Sequence, residues 1–333
     1  MQHLLTKWYS THQRDLPWRH SHNPYFIWIS EIMLQQTRVE TVIPYYERFL
    51  EAFPTINDLA KAQQDDLYKV WQGLGYYSRV RNMQIAANQI MENYNGIFPE
   101  SYEELEKLQG IGPYTSRAVA SIAFNEHVSA IDGNALRIMS RVYEIDKNIQ
   151  ENATRRIIQE LSDQLIVDVI PGDYNQAMMD LGSTICQVKN PKCTQCPIQT
   201  KCLSYIHHTV EKYPISIKKI KIKKENSIAG IITYQNKVFM IKNKKGVLKN
   251  LYAFPQYFVE NIEDFITSFE QDYHLPLTSP KYLGHVNHVF THKVWDIEVY
   301  QFELNLDHEN LIENIEDYPI STCHLKIYKL KGI

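Results

Sequence analysis

The sequence predicts a multidomain protein: an all-α domain followed by a smaller α+β one. Three observations carry this reading. Apolar residues in the first 208 positions recur with a period of about 3.6 residues, and strand-like runs are scarce there. A stretch with five lysines, PISIKKIKIKK at 214–224, then breaks the pattern. Beyond it, apolar and polar residues alternate as in strands. A length of 333 residues suits about two domains. The expected division is 1–208, a basic linker at 209–226, and 227–333.

In the first domain, Val42, Ile43, Tyr46, Phe49, Leu50 and Phe53 mark one face of a helix starting near Val39. A second helix runs from about Arg79 to Tyr94. Glu103, Leu105 and Leu108 lead into Gly110-Ile111-Gly112-Pro113, and a helical run follows from Tyr114 to Phe124. Asp132-Gly133-Asn134 marks a turn before a helix through Arg141. In the second domain, Ser227–Tyr234 and Lys237–Lys242 flank Gln235-Asn236 and read as a hairpin. A helix is expected at 261–273. Strands follow at about 281–304, where Val294 to Tyr300 alternate.

Composition narrows the classes. Hydrophobic residues make up 44% and charged residues 22%, which argues against global disorder. No apolar run reaches the roughly 20 residues a bilayer requires, and Met1 to Ser10 lack a signal-peptide pattern. A soluble, cytoplasmic protein without a membrane partner is expected. The net charge of −3 neither announces nor excludes a nucleic-acid partner, because a local basic surface decides that.

Several segments could carry chemistry. Cys186, Cys193, Cys196 and Cys202 form C-x6-C-x2-C-x5-C, while Cys323 stands apart. Four thiolates so close in sequence can close around one centre, tetrahedral zinc or an iron–sulfur cluster. Lys189 and Lys192 lie in the first loop of that motif, placed to meet phosphate or simply solvent. Leu108-Gln109-Gly110-Ile111-Gly112-Pro113-Tyr114-Thr115, with a helix on each side, has the form of a helix-hairpin-helix. Glycines 110 and 112 permit the tight turn, and the amides there can grip a DNA phosphate. Asp132-Gly133-Asn134 alone is a common helix cap; beside a DNA grip, its aspartate becomes a candidate catalytic group. In Ser30-Glu31-Ile32-Met33-Leu34-Gln35-Gln36-Thr37, a helix would set Glu31 among Ile27, Trp28, Leu34 and Gln35. A carboxyl so desolvated holds its proton near neutral pH and suits a general acid. In Gly73-Leu74-Gly75-Tyr76-Tyr77-Ser78-Arg79-Val80-Arg81, aromatic and arginine residues could wedge bases and contact phosphate, or form core and solvated surface.

Together these segments resemble the iron–sulfur helix-hairpin-helix DNA glycosylases, and among them the MutY adenine DNA glycosylases. SEIMLQQT, GLGYYSRVRN, GIGPYT, IDGN and the cysteine motif stand in that family's order and spacing over nearly the whole chain. The resemblance implies a [4Fe–4S] cluster on the four cysteines at 186–202. It implies that Glu31 protonates adenine and that ionised Asp132 stabilises the sugar cation, with Tyr114 and Asn134 in support. Gln36 and Tyr76 match intercalating positions, and Arg19 and Gln176 match positions lining the adenine pocket. The related endonuclease III branch has a lysine where this chain has Tyr114. A phenol forms no Schiff base, so a monofunctional glycosylase that leaves an abasic site is expected.

Residues 227–333 resemble the family's Nudix-like recognition domain. The glutamate-rich metal box of a working Nudix hydrolase is missing from the helix near 265–273. Phe290-Thr291-His292 matches the family's Phe-Ser-His loop, which contacts 8-oxoguanine; the threonine keeps the hydroxyl and adds a methyl. The implied partner is double-stranded DNA with adenine opposite 8-oxoguanine or guanine, bound by a monomer.

Overall fold

The computed structural model describes residues 1–217, 222–290 and 292–332. Contacts divide the chain into two compact units. The first is Met1–Lys61 with the residues from Arg81 to the linker; the second is Ala62–Val80 with the residues beyond the linker.

The first unit is helical, as the 3.6-residue period predicts. Its elements include α1 (Gln2–His12), α2 (Pro24–Leu34), α3 (Val39–Ala52) and α4 (Ile56–Lys61). After α5 (Gln64–Trp71), which lies in the second unit, α6 (Ser78–Asn93) begins there and continues into the first. Then come α7 (Tyr102–Glu106), α8 (Pro113–Phe124), α9 (Gly133–Tyr143), α10 (Asn152–Ile166), α11 (Pro171–Thr184) and the short α12 (Leu203–Ile206). The expected helices at 39, 79–94, 114–124 and through 141 are all present.

Local signals set the helix ends that matter for function. Asn23 caps α2 by accepting from the Tyr25 N–H, and Pro24 fills the first position, where no N–H is needed. The helix that follows is buried from Ile27 to Met33, so it runs through the interior rather than along its surface. Asp132 caps α9 by accepting from the Ala135 N–H at 2.7 Å. A core of Leu5 and Tyr9 from α1, Leu136 and Met139 from α9, and Tyr174, Ala177 and Leu181 from α11 holds these helices together.

The turn between α7 and α8 is the glycine hairpin. Gly110 has φ +79°, and a Cβ there would lie 2.6 Å from the Cβ of Asn82 on α6. Both conformation and space demand glycine at this point. Gly112 caps α8, and a Cβ there would meet open space.

The second unit is built on a mixed sheet. Its strands are β1 (Lys223–Tyr234), β2 (Lys237–Phe239), β3 (Ile241–Lys242), β4 (Tyr252–Ala253), β5 (Gln256–Tyr257), β6 (Thr278–Val289), β7 (Lys293–Glu303) and β8 (Leu311–Ile312). The main order is β6-β7-β1-β2-β8, with β5 pairing β1, and β3 pairs β4 separately. The hairpin expected at Gln235-Asn236 is present, with Tyr234 opposite Lys237. In β7, Trp295, Ile297 and Val299 are buried while Glu298 faces solvent, the expected period of two. Helix α13 (Ile262–Tyr273) packs Phe265 and Phe269 against Ile228, Ile232, Phe239 and Phe302. Gly230 of β1 makes room for the Phe265 ring, which a Cβ would meet at 2.6 Å. A final helix, α14 (Thr322–Lys329), closes the unit.

The expected division kept 62–80 with the helical domain, whereas this segment groups with the second unit. There the Gln72 side chain accepts from the Ile320 N–H at 3.2 Å, and Asp65 pairs with Lys242 at 2.6 Å. Gly110→Ala should lower stability by on the order of 2 kcal/mol, from positive φ and the clash with Asn82 together. Gly112→Ala should leave the melting temperature nearly unchanged. Thermal unfolding of both variants checks the pair.

Candidate active site

A cavity of about 650 Å³ opens in the helical unit, within the size range of ligand clefts. Glu31, Tyr114, Asp132, Asn134, Arg19 and Gln176 all line it, although they come from five different segments of chain. The sequence assigned these six residues to one site, and the fold brings them together. Gln36 lies at the same cavity, exposed just past the end of α2, with φ +61°.

Glu31 is 5% exposed. Its Oε2 accepts from the Tyr114 hydroxyl at 2.7 Å. Burial pushes the carboxyl up to about 7; the nearby Asp132 raises it further, while the Tyr114 hydrogen bond and Arg19 oppose the rise. At neutral pH the group therefore stands close to half-protonated. Tyr114, itself surrounded by apolar and acidic groups, is held well above the ordinary phenol range and stays a neutral donor.

Asp132 has a different environment. Burial raises its carboxyl as well, and hydrogen bonds from the Ala135 N–H and the Asn134 side chain offset part of that rise. The Asn134 Nδ2 donates to Oδ2 at 2.7 Å. The carboxylate also caps the positive end of α9. Burial raises both carboxyl groups in this cavity, and more of the opposing hydrogen bonds fall to Asp132 than to Glu31.

Three residues that the sequence reading did not single out support this arrangement. Arg137, 8% exposed, donates through Nη2 to the Asn134 Oδ1 at 2.9 Å and the Gly182 carbonyl at 2.7 Å. Its Nε donates to the Cys186 carbonyl at 2.7 Å. Arg137 therefore fixes which end of the Asn134 amide faces Asp132. Gly182 on α11 lets that helix approach α9, since a Cβ there would collide with the Asn134 side chain. Asp180, fully buried, binds both Arg14 and Arg19 at 2.7 Å. The spacing of Asp180 one turn after Gln176 on α11 was a signal available in the sequence; the partners of Arg137 and Gly182 were not.

The four cysteines line one small apolar cavity with Ile138, Leu181, Ile185 and Ile198. Among the described residues, no three His, Cys, Asp or Glu side chains converge on a single metal-ion position. Arg141, 3% exposed, donates to the Cys186 Sγ at 3.3 Å and to the Gln187 carbonyl at 2.8 Å. A shared cavity walled by four thiols, with a buried guanidinium on one sulfur, is a donor set able to hold a metal centre.

The remaining candidates lie elsewhere. Gly110 and Gly112 form the α7–α8 turn described above. Tyr76, 48% exposed with φ +49°, belongs to the second unit, as do Phe290 and His292. Tyr77, by contrast, is buried against Tyr68. Phe290 packs edge-on to Trp295 with ring centroids 4.7 Å apart, and His292 is exposed. Thr291 lies outside the described residues. No helix among the described residues is long and apolar enough to cross a membrane.

Residues 29–164 match the HhH-GPD superfamily of base excision DNA repair proteins. An adenine DNA glycosylase of Buchnera aphidicola subsp. Baizongia pistaciae is 39% identical over 268 residues, covering 78% of this chain and 74% of that one. An adenine DNA glycosylase of Arabidopsis thaliana is 33% identical, covering 86% of this chain and 54% of that one. The solved structure of a thermostable thymine-DNA glycosylase aligns with a TM-score of 0.57 at 27% identity, covering 62% of this chain and 95% of that one. This chain belongs to the adenine DNA glycosylases, base excision repair enzymes that hydrolyse N-glycosyl bonds.

Proposed function

We propose that the protein removes adenine paired with 8-oxoguanine, and more slowly with guanine, from double-stranded DNA without cutting the strand. The observation that supports this most directly is the buried Glu31 carboxyl, held near pH 7 by its surroundings and bonded to a phenol where a lysine would permit lyase chemistry.

In this reading the adenine leaves the duplex, at a cost of a few kcal/mol, and enters the Glu31 cavity. Glu31 donates its proton to N7 of the base. The bond from N9 to the sugar C1′ then breaks, and its electron pair leaves with the protonated adenine. The sugar becomes oxocarbenium-like, and the Asp132 carboxylate faces and stabilises that charge. Water adds to C1′ and gives up a proton to Glu31, which restores the acid and leaves an abasic site. Tyr114 keeps Glu31 oriented, and Asn134 does the same for Asp132. Arg19 and Gln176 line the base pocket. Gln36 and Tyr76 enter the duplex near the lesion, their exposure and positive φ being in keeping with a wedge role. Gly110 and Gly112 hold a phosphate against backbone amides. The open space at Gly112 supports this, because a side chain there would stand between phosphate and backbone.

The second unit, read as Nudix-like, recognises 8-oxoguanine through Phe290-Thr291-His292. This segment connects β6 to β7. The Phe290 ring packs on Trp295 beside exposed His292, which supports a contact loop. The cysteine cavity holds a [4Fe–4S] cluster on Cys186, Cys193, Cys196 and Cys202. When bound, the cluster crosslinks the loop that carries Lys189 and Lys192.

Single-turnover kinetics test the central reading. Adenine should leave an adenine:8-oxoguanine duplex faster than adenine:guanine, and adenine:thymine should be spared. Strand breaks should need alkali, and Asp132→Asn should slow release roughly 100-fold or more. Cleavage of a thymine-glycol duplex without alkali would sink it.

Glu31→Gln should abolish release yet stabilise the fold. The carboxyl is raised from an unfolded value near 4.3 to about 7, so its ionisation opposes folding. The Glu31 contribution to stability is complete below about pH 4 and is lost as pH climbs through 7. At pH 8 the variant should be more stable by on the order of 2 to 3 kcal/mol, and the difference should vanish near pH 4. Denaturant unfolding at both pH values measures this.

Purified protein should be brown, with iron and acid-labile sulfide in equal amounts. Cys196→Ser should lose both. Colourless protein carrying zinc would replace the cluster assignment with a tetrahedral site.

A further inference from the structure

Asp180 is a fully buried carboxylate behind the cavity wall, bonded to two arginines that line it, and the mechanism above does not use it. Its Oδ1 accepts from the Arg14 Nε at 2.7 Å and the Arg19 Nη2 at 3.0 Å. Its Oδ2 accepts from the Arg19 Nη1 at 2.7 Å and the Arg14 backbone N–H at 3.3 Å. Arg19 Nη1 also donates to the Arg14 carbonyl at 3.1 Å. The Arg19 guanidinium lies 5.4 Å from the centre of the Tyr9 ring. Both arginines line the cavity that holds Glu31. The Arg19 side chain is only 7% exposed, so water does little to screen its charge.

Two guanidinium groups beside an acid that must keep its proton are an electrostatic problem. We propose that Asp180 is a positioning residue for base excision: it fixes the Arg14–Arg19 pair on the cavity wall and cancels one of their charges, so that Glu31 stays protonated beside them. This rests on the reading of Glu31 as the general acid. Arg19 is the one cation that acts on Glu31 appreciably, and it acts against the proton. The other groups that act on Glu31 are Tyr114 from α8 and Asp132 at the head of α9. Helix α3, also packed on α2, turns its charged residues Glu40, Glu47, Arg48 and Glu51 to solvent. Asp180 and its two arginines are therefore the charge cluster that can tune the acid from the α11 side.

The three groups carry one net positive charge. Asp180→Asn leaves two, Arg14→Gln leaves none, and the double variant returns to one. The readout is the pH profile of single-turnover adenine release. Wild type should show an alkaline limb from loss of the Glu31 proton. In Asp180→Asn that limb should move to lower pH by on the order of 0.5 to 1 unit. In Arg14→Gln/Asp180→Asn it should return toward wild type. In Arg14→Gln alone it should move to higher pH, which keeps the test decisive if Asp180→Asn does not fold. Asp180→Glu should retain the wild-type limb at reduced rate.

A purely structural Asp180 would lower the amplitude in Asp180→Asn and leave every limb in place. A limb that is present in wild type but fixed across the variants overturns the role of Asp180 alone. A wild-type profile without an alkaline limb, together with an active Glu31→Gln enzyme, overturns the general-acid reading and this inference with it.

Discussion

Two carboxyl groups share one cavity, and much of the surrounding structure gives them different partners. Water would erase the distinction, since free aspartate and glutamate differ little in acidity. The helical unit removes water from Glu31 by setting it inside α2, a helix buried from Ile27 to Met33. It gives that carboxyl one donor, a phenol. Asp132 also loses water, but it receives a backbone amide, a carboxamide and the positive end of a helix in exchange. Burial raises both groups, and the number and type of donors are what differ between them.

What could be read from the sequence was what depends on near neighbours. The period of apolar residues located α3 and α6, and turn signals located α8 and α9. Local context made Asp132 and Glu31 candidates only, and the resemblance of the surrounding motifs to a family gave them roles. The cysteine spacing marked a shared centre. What could not be read depends on distant segments meeting. Arg137 matters because Cys186 and Gly182 come to it from more than 40 positions away. Gly182 looks like an unremarkable helix residue until Asn134 is placed against it. The grouping of 62–80 with the second unit rests on Gln72 and Asp65 finding partners far along the chain. Strands β4, β5 and β8 are two residues each, too short to carry any period.

Helix α11 gathers several of these tasks. Gln176 and Asp180 line or brace the cavity one turn apart, and Gly182 then admits Asn134. The chain continues directly into Cys186, whose carbonyl holds Arg137. The same guanidinium holds Asn134. The cysteine loop and the support for Asp132 are therefore braced through one buried side chain. Rigidity in that loop is transmitted to Asp132 by direct hydrogen bonds, with no need for a longer path.

Asp132 is a helix cap and, in the proposed mechanism, the group facing the sugar cation, and the two employments differ in what they tolerate. Asparagine caps a helix about as well as aspartate does. A chain carrying asparagine there would keep its fold, escape proteases and accumulate in the cell at full abundance, because surveillance of misfolding responds to stability and not to chemistry. Cells bearing such a change would hold a normal quantity of protein able to occupy lesions without clearing them. In the proposed mechanism the acid at that position answers to the reaction alone, because the cap would accept either residue.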